Sequence, residues 1–262
     1  ADGFPSHCPE GDACDGVGGG HHGERVPCAF DGVTTALAVL AWSAGGSTLE
    51  SGPHQENLTR GVAFLSRVVA AGAGRFDGIW NLAFATEALA DVCAASRTLA
   101  LRPVVREGVE RLEALQRPDG GYSYVYAIGD VPTTAAVLGA LGQAAQAGIA
   151  VDAERVERAL SFLDARVDPG TGRSEYHDGA ERKGYTPTRA NAAAALAARA
   201  AVGIPEETAA LRKQAAVIRD RKPRWKLETK DVKTREGRVV RAQVGTLYPY
   251  LWYMADAALR SR

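Results

Sequence analysis

Apolar residues recur along the chain at intervals of three and four, in two kinds of segment that alternate. One kind is amphipathic: from about Gln55 to Ala71, Leu58, Val62, Leu65 and Val69 fall on one side while Glu56, Arg60 and Arg67 lie elsewhere. The other kind is apolar on more than one side, as in GIWNLAFATEALADVCAA, and has no wet face to offer. A helix of the first kind borders solvent; one of the second must be walled in. In order, an enclosed helix starts at Asp31, runs through Leu37, Leu40 and Ala41 to Trp42, and stops at Gly45 and Gly46. The Gln55 helix follows, then the GIWNLAF helix, then RPVVREGVERLEALQ as its amphipathic partner. Next come Asp130 to about Gln146, DAERVERALSFLDAR, TPTRANAAAALAARA with Pro187 in the first turn, PEETAALRKQAAVIRDR, and a closing enclosed helix VGTLYPYLWYMADAAL. Enclosed helices alternating with wet ones predict an all-α fold in two concentric layers, an α/α toroid of about five helical hairpins. The starts of the inner helices then meet around a common hollow.

The corner between the second and third hairpins is the most sharply written. Gln116 ends a helix, Arg117-Pro-Asp-Gly-Gly turns the chain, Tyr122 and Tyr124 alternate through an extended step, and Asp130 caps the next helix. Asp-x-x-Thr-Thr-Ala occurs at Asp31 to Ala36 and again at Asp130 to Ala135, 99 residues on, two units of a repeat near fifty residues. Ser174-Glu-Tyr-His177-Asp-Gly reads as a second, degenerate turn of the same type. One stretch departs from helix: between Arg224 and Val244, Thr, Val, Trp and Lys alternate on each side of Thr234-Arg-Glu-Gly237, which predicts a β-hairpin-like insertion at about 222–244. The domain reading is an irregular Cys/Gly-rich arm at 1–28 and a toroid domain at 29–262.

Charge changes the picture only locally. The chain holds 31 Lys plus Arg and 31 Asp plus Glu, so no global field draws it to nucleic acid or membrane. Residues 212–241, however, contain twelve Lys or Arg against four Asp or Glu. That excess makes Arg224, Lys226, Lys230, Lys233, Arg235, Arg238 and Arg241 candidates for holding an anionic partner, the alternative being a solvated charged excursion. Cys8, Cys14, Cys28 and Cys93 are an even set, read as disulfide candidates in an oxidising compartment. The competing reading is zinc held by Cys8, Cys14, Cys28 and one of His7, His21 or His22, but the spacing lacks a CxxC pair. No cofactor is expected otherwise. No apolar run reaches the length of a membrane span. The Cys-bearing start suits an exported protein, periplasmic or extracellular.

The corner Gln116-Arg-Pro-Asp119-Gly120-Gly121-Tyr122 resembles the QW-type repeat of squalene and terpene cyclases and of protein prenyltransferase β-subunits. From about Phe30 to Leu259 the chain is similar to members of the prenyltransferase/squalene-oxidase repeat group, including exported bacterial proteins of unassigned activity. GIWNLAFATEALADV and TLYPYLWYMADAAL are similar to that group's Ala-Thr-x-Ala-Leu helix and aromatic closing helix. The resemblance implies an α/α toroid. The catalytic hallmarks of the group do not carry over: there is no Asp-x-Asp-Asp triplet, no assignable zinc-binding Asp and His to accompany Cys93, and no Gly-Cys-Gly-Glu-Gln sequence.

Inner helix starts gather Asp31, Thr34, Trp80, Asn81, Asp130, Thr133, Thr186, Thr188, Asn191, Tyr248, Tyr250 and Tyr253 near one rim. Carboxyls, hydroxyls and aromatics around an apolar wall furnish a small-molecule pocket. Asp31 and Asp130 either cap their helices or serve as an acid/base pair. The favoured function is a ligand- or protein-binding module without a cyclase or prenyltransferase active site. The alternatives are a cyclase-like, prenyltransferase-like or carbohydrate-active toroid enzyme using the two aspartates, and a structural subunit of a larger assembly. In the enzyme the aspartates face an open cavity; in the binding module they are spent as caps.

Overall fold

A computed structural model of the protein describes residues 31–72, 78–124, 127–178, 187–203, 209–219, 228–233 and 239–244. The described elements are α1 (Asp31–Ala44), α2 (Gln55–Ala71), α3 (Gly78–Ala95), α4 (Arg102–Ala114), α5 (Val131–Gln146), α6 (Ala153–Asp164), α7 (Arg189–Ala201) and α8 (Ala209–Arg219), followed by strands β1 (Glu228–Lys233) and β2 (Val239–Val244). Helices α1, α3, α5 and α7 pack side by side in chain order as an inner row. Helix α2 backs α1, α4 backs α3, α6 backs α5 and α8 backs α7, while α2 and α4 also reach forward to the next inner helix. This is the α/α toroid. The expected fifth inner helix and the Cys/Gly-rich arm lie outside the described residues.

The two layers follow from the two sequence patterns. Of the 18 residues of α3, 12 are buried, and of the 16 of α5, 13 are buried. The outer helices bury single stripes: Leu58, Val62, Leu65 and Val69 on α2, Val105, Val109 and Leu112 on α4, Phe162 and Leu163 on α6. Small residues set the spacing between the layers and between neighbouring inner helices. A Cβ on Gly108 of α4 would stand 2.3 Å from the Thr86 hydroxyl of α3, and one on Gly142 of α5 would stand 2.5 Å from the Ala201 carbonyl of α7.

Three helix starts are capped by side chains, as their first residues predict. Asp130 accepts from Thr133 N at 2.9 Å, Asp152 from Glu154 N and Arg155 N, and Thr188 from Asn191 N at 3.1 Å. Helix α7 therefore begins after Thr188. Pro187 precedes the cap instead of occupying the first turn, a correction to the sequence expectation. Helix α1 already includes Asp31.

The Gln116–Tyr122 corner works as a clamp. The Gln116 amide donates to the carbonyls of Gly120 (2.9 Å) and Arg155 (2.7 Å), and its oxygen accepts from Arg158. Asp119 accepts from Gly121 N and Gly129 N, closing the loop upon itself. Tyr122 is fully buried, its N–H donating to the Thr134 hydroxyl. Strands β1 and β2 pair antiparallel, Glu228 opposite Val244, Asp231 opposite Arg241 and Lys233 opposite Val239, so the expected hairpin is a regular two-stranded ribbon. Among the described residues no helix is long and apolar enough to cross a membrane.

Candidate functional site

Helix α3 carries Trp80, Phe84, Glu87 and Asp91 at intervals of four, three and four, which places them on one stripe. The opposite stripe holds Leu82, Thr86, Leu89 and Cys93. Thr86 meets Gly108 of α4 and Cys93 feels the charge of Arg102, so that side faces the outer layer. The Trp80–Asp91 stripe accordingly faces the ring's interior. From the two flanking inner helices, Ser43 of α1 donates to Asp91 Oδ2 at 2.5 Å and Gln143 of α5 donates to Asp91 Oδ1 at 3.3 Å. Helix α1 turns Thr35 and Val39 back toward Gly61 of α2, leaving Leu37 and Leu40 half-buried on the other side.

The stripe opens on an aromatic mouth at the helix starts. Trp80 and Phe84 stack with centroids 6.0 Å apart and planes 14° apart, and Tyr124 meets Trp80 edge-on at 6.5 Å. The hydroxyls of Tyr124 and Tyr176 stand 3.5 Å apart. Trp80, Tyr124 and Tyr176 are half-buried. The two tyrosines arrive from the two corner turns, the Gln116–Tyr122 clamp and the Ser174–Asp178 segment. The latter is tied to α5 by Val131 N donating to Tyr176 O at 2.8 Å.

Deeper along the stripe lies Glu87, 9% exposed. Among the described residues no hydrogen bond or ion pair reaches its carboxyl. It lies over Gly139 of α5, where a Cβ would stand 3.7 Å from each carboxyl oxygen. Burial pushes the Glu87 pKa up to about 7, and the negative charge of Asp91 adds to the rise. This residue is a buried acid that changes protonation near neutral pH.

Most of the expected rim residues serve helix starts. Asp130 is 0% exposed; burial raises its pKa against the opposing hydrogen bonds from Thr133 and Ser123. It is a fully buried helix cap. Asp31 is half-buried in the first turn of α1, and the exposed Thr34 donates to the Asp31 carbonyl. Asn81 accepts from Val33 N at 3.0 Å, satisfying one of the first N–H groups of α1 from the neighbouring helix. Thr133 is buried beside Asp130, Thr188 caps α7, and the Asn191 amide donates to the carbonyls of Ser174 and Glu175. His177 is buried, with Nδ1 2.7 Å from the Asp178 backbone carbonyl, not its carboxylate. Among the described nominated residues, Trp80 is the one placed at the aromatic mouth.

Thr186, Tyr248, Tyr250, Tyr253, Arg224, Lys226, Arg235 and Arg238 lie outside the described residues, as do Cys8, Cys14, Cys28, His7, His21 and His22. Lys230, Lys233 and Arg241 fall on the ribbon backbone. Among the described residues Cys93 is a free, buried thiol, its Sγ 3.2 Å from the Thr98 carbonyl, and the other three cysteines considered for a cross-link lie outside the described residues. Among the described residues no group of three or more His, Cys, Asp or Glu side chains is arranged to hold a metal ion. Glu87, Asp91, Tyr124 and Tyr176 were not nominated from the sequence. The four-three-four spacing from Trp80 was the available signal for the two acids; the tyrosines meet only through the folded corners.

Neither a protein-family model nor a curated protein sequence matches the chain. Among solved structures it is similar to the unsaturated glucuronyl hydrolase of Bacillus sp. GL1, responsible for the degradation of glycosaminoglycan. The likeness has a TM-score of 0.58 at 14% identity and covers 88% of this chain and 73% of that one. A second structure of UGL, with dGlcA-Glc-Rha-Glc, matches at a TM-score of 0.57 and 14% identity, with the same coverage of both chains. At this identity the likeness establishes the shared α/α-toroid fold.

Proposed function

We propose that the protein is a carbohydrate-binding α/α toroid that seats a saccharide against Trp80, Tyr124 and Tyr176, with the ligand's inner end directed toward Glu87. The observation that carries this reading is the inward stripe of α3, which joins an aromatic mouth to an acid that is unpartnered among the described residues, on one helix face. Aromatic faces take up the C–H face of a sugar ring without forcing its hydroxyls to be desolvated, and a few placed polar groups fix orientation. Trp80 and Glu87 are separated by about 10 Å of helix rise, so an extended ligand touches both. The named activity and ligand of the structural neighbours support the ligand class.

Binding is assigned ahead of catalysis because the expected acid/base pair lacks its geometry: Asp130 is sealed beneath α5 and occupied by Thr133 N. The prenyltransferase/squalene-oxidase resemblance bears on the fold, and the saccharide reading supplies the ligand. An exported protein meets polysaccharide directly, which suits the Cys-bearing arm. The ribbon remains the place where an anionic partner would dock.

Isothermal titration of the full chain against a panel of oligosaccharides tests this function. Micromolar to millimolar binding to at least one of them is expected, and Trp80→Ala is expected to weaken it at least tenfold, about 1.4 kcal/mol, with the helical circular dichroism retained. Affinity unchanged by Trp80→Ala, or no binding across the panel, would overturn it.

A further inference from the structure

The stripe also carries a charge argument, which rests on the saccharide reading. Glu87 is nine-tenths buried and, among the described residues, unpartnered. Asp91 lies one turn further on and is fixed by Ser43 and Gln143. The flanking helices supply nothing to neutralise them: apart from Asp31 at the start of α1, neither α1 nor α5 contains an ionisable side chain. On the outer helices behind α3, Arg102 acts on Cys93 and Arg111 pairs with Glu107. Leaving a carboxyl unpaired in an apolar setting costs free energy that a bound cation would return. Gly139 of α5 packs against one side of the carboxyl, and the 9% of Glu87 that stays exposed is the part a ligand would approach. The aromatic faces at the mouth favour a cation as well, through their quadrupoles.

We propose that the saccharide taken by this site bears a protonated amine, its ammonium paired with the Glu87 carboxylate within the negative field of Asp91 and beneath the rings of Trp80 and Phe84. An amino sugar satisfies that description. A uronate at the same depth would bring a third negative charge next to two and be rejected. Pairing needs Glu87 ionised and the amine protonated, so a proton held by the free acid passes to a neutral amine or, where the amine is already an ammonium, leaves to solvent.

The experiment is calorimetry of the full chain at pH 7 and low salt. The ligands are glucosamine oligomers, their N-acetylated counterparts and uronate-ended oligomers. The expected result is that the amine form binds at least tenfold more tightly than the N-acetylated form, about 1.4 kcal/mol, and loses that preference in Glu87→Gln. Equal affinities for the amine and N-acetylated forms, a preference for the uronate, or an amine preference retained in Glu87→Gln would overturn the amine assignment. If Glu87→Gln fails to fold, the ligand comparison on the unaltered chain decides it. N-acetylated oligomers binding as well as amines would sink only this inference; no binding of any oligomer would sink the saccharide reading with it.

Discussion

Gly120→Ala is expected to destabilise the protein by about 3 kcal/mol, of which roughly 1 kcal/mol is the left-handed backbone of a non-glycine residue and the rest steric. Gly120 has φ +86°, and a Cβ there would stand 2.6 Å from the Arg158 carbonyl oxygen and 3.0 Å from its carbon. Those atoms are backbone of α6 and cannot swing aside as a side-chain tip would. The Gln116 amide bridges the same two segments, holding Gly120 O and Arg155 O together. Any retreat from the new methyl therefore strains the clamp. Gly46→Ala is the internal control: φ is +84°, but nothing lies within 4 Å of its Cβ position, so the backbone cost of about 1 kcal/mol should appear alone. Urea denaturation midpoints of the two variants measure the difference. Equal losses would mean that the corner does not press on α6.

Glu87 should make stability fall with rising pH, by about 3 kcal/mol in total. Its carboxyl goes from a reference value of 4.5 to about 7 on folding, because burial disfavours the charged form and Asp91 repels it. Below pH 4.5 the acid is protonated in both folded and unfolded chains and costs nothing. Between 4.5 and about 7 the folded protein holds a proton that the unfolded chain has released, so stability declines; above about 7 the full penalty is in place. Glu87→Gln, which cannot ionise, should raise the urea midpoint at pH 8 and leave it nearly unchanged at pH 4. A variant equally affected at both pH values would show that the amide exerts a packing effect and that the charge does not.

The layered fold was legible because it rests on local periodicity. Leu58, Val62, Leu65 and Val69 define one buried stripe whatever their partners are, and the apolar α3 and α5 admit no arrangement other than enclosure. The Asp130 cap was equally readable, since an aspartate three residues before a threonine at a helix start is a local device. The site was less legible for the opposite reason. The hydroxyls of Tyr124 and Tyr176 are brought to 3.5 Å by two corners separated by an entire hairpin, a distance no periodicity encodes. Glu87 sits inside GIWNLAFATEALADVCAA, a segment whose apolar character points to enclosure and not to a site. Its significance depends on Gly139 lying opposite and on Ser43 and Gln143 binding Asp91 instead of Glu87. Asn81 shows the converse. A polar residue at an inner helix start looks like a ligand contact until Val33 N is seen to occupy it.

The most direct test of the central claim, a buried acid on the inward face of α3, is carbon-detected NMR titration of the Glu87 side-chain carboxyl in the full chain. The account predicts a midpoint near 7 in the ligand-free protein. A midpoint at the ordinary 4.5 would show the carboxyl to be solvated or paired, and would contradict both the site and the chemistry assigned to it.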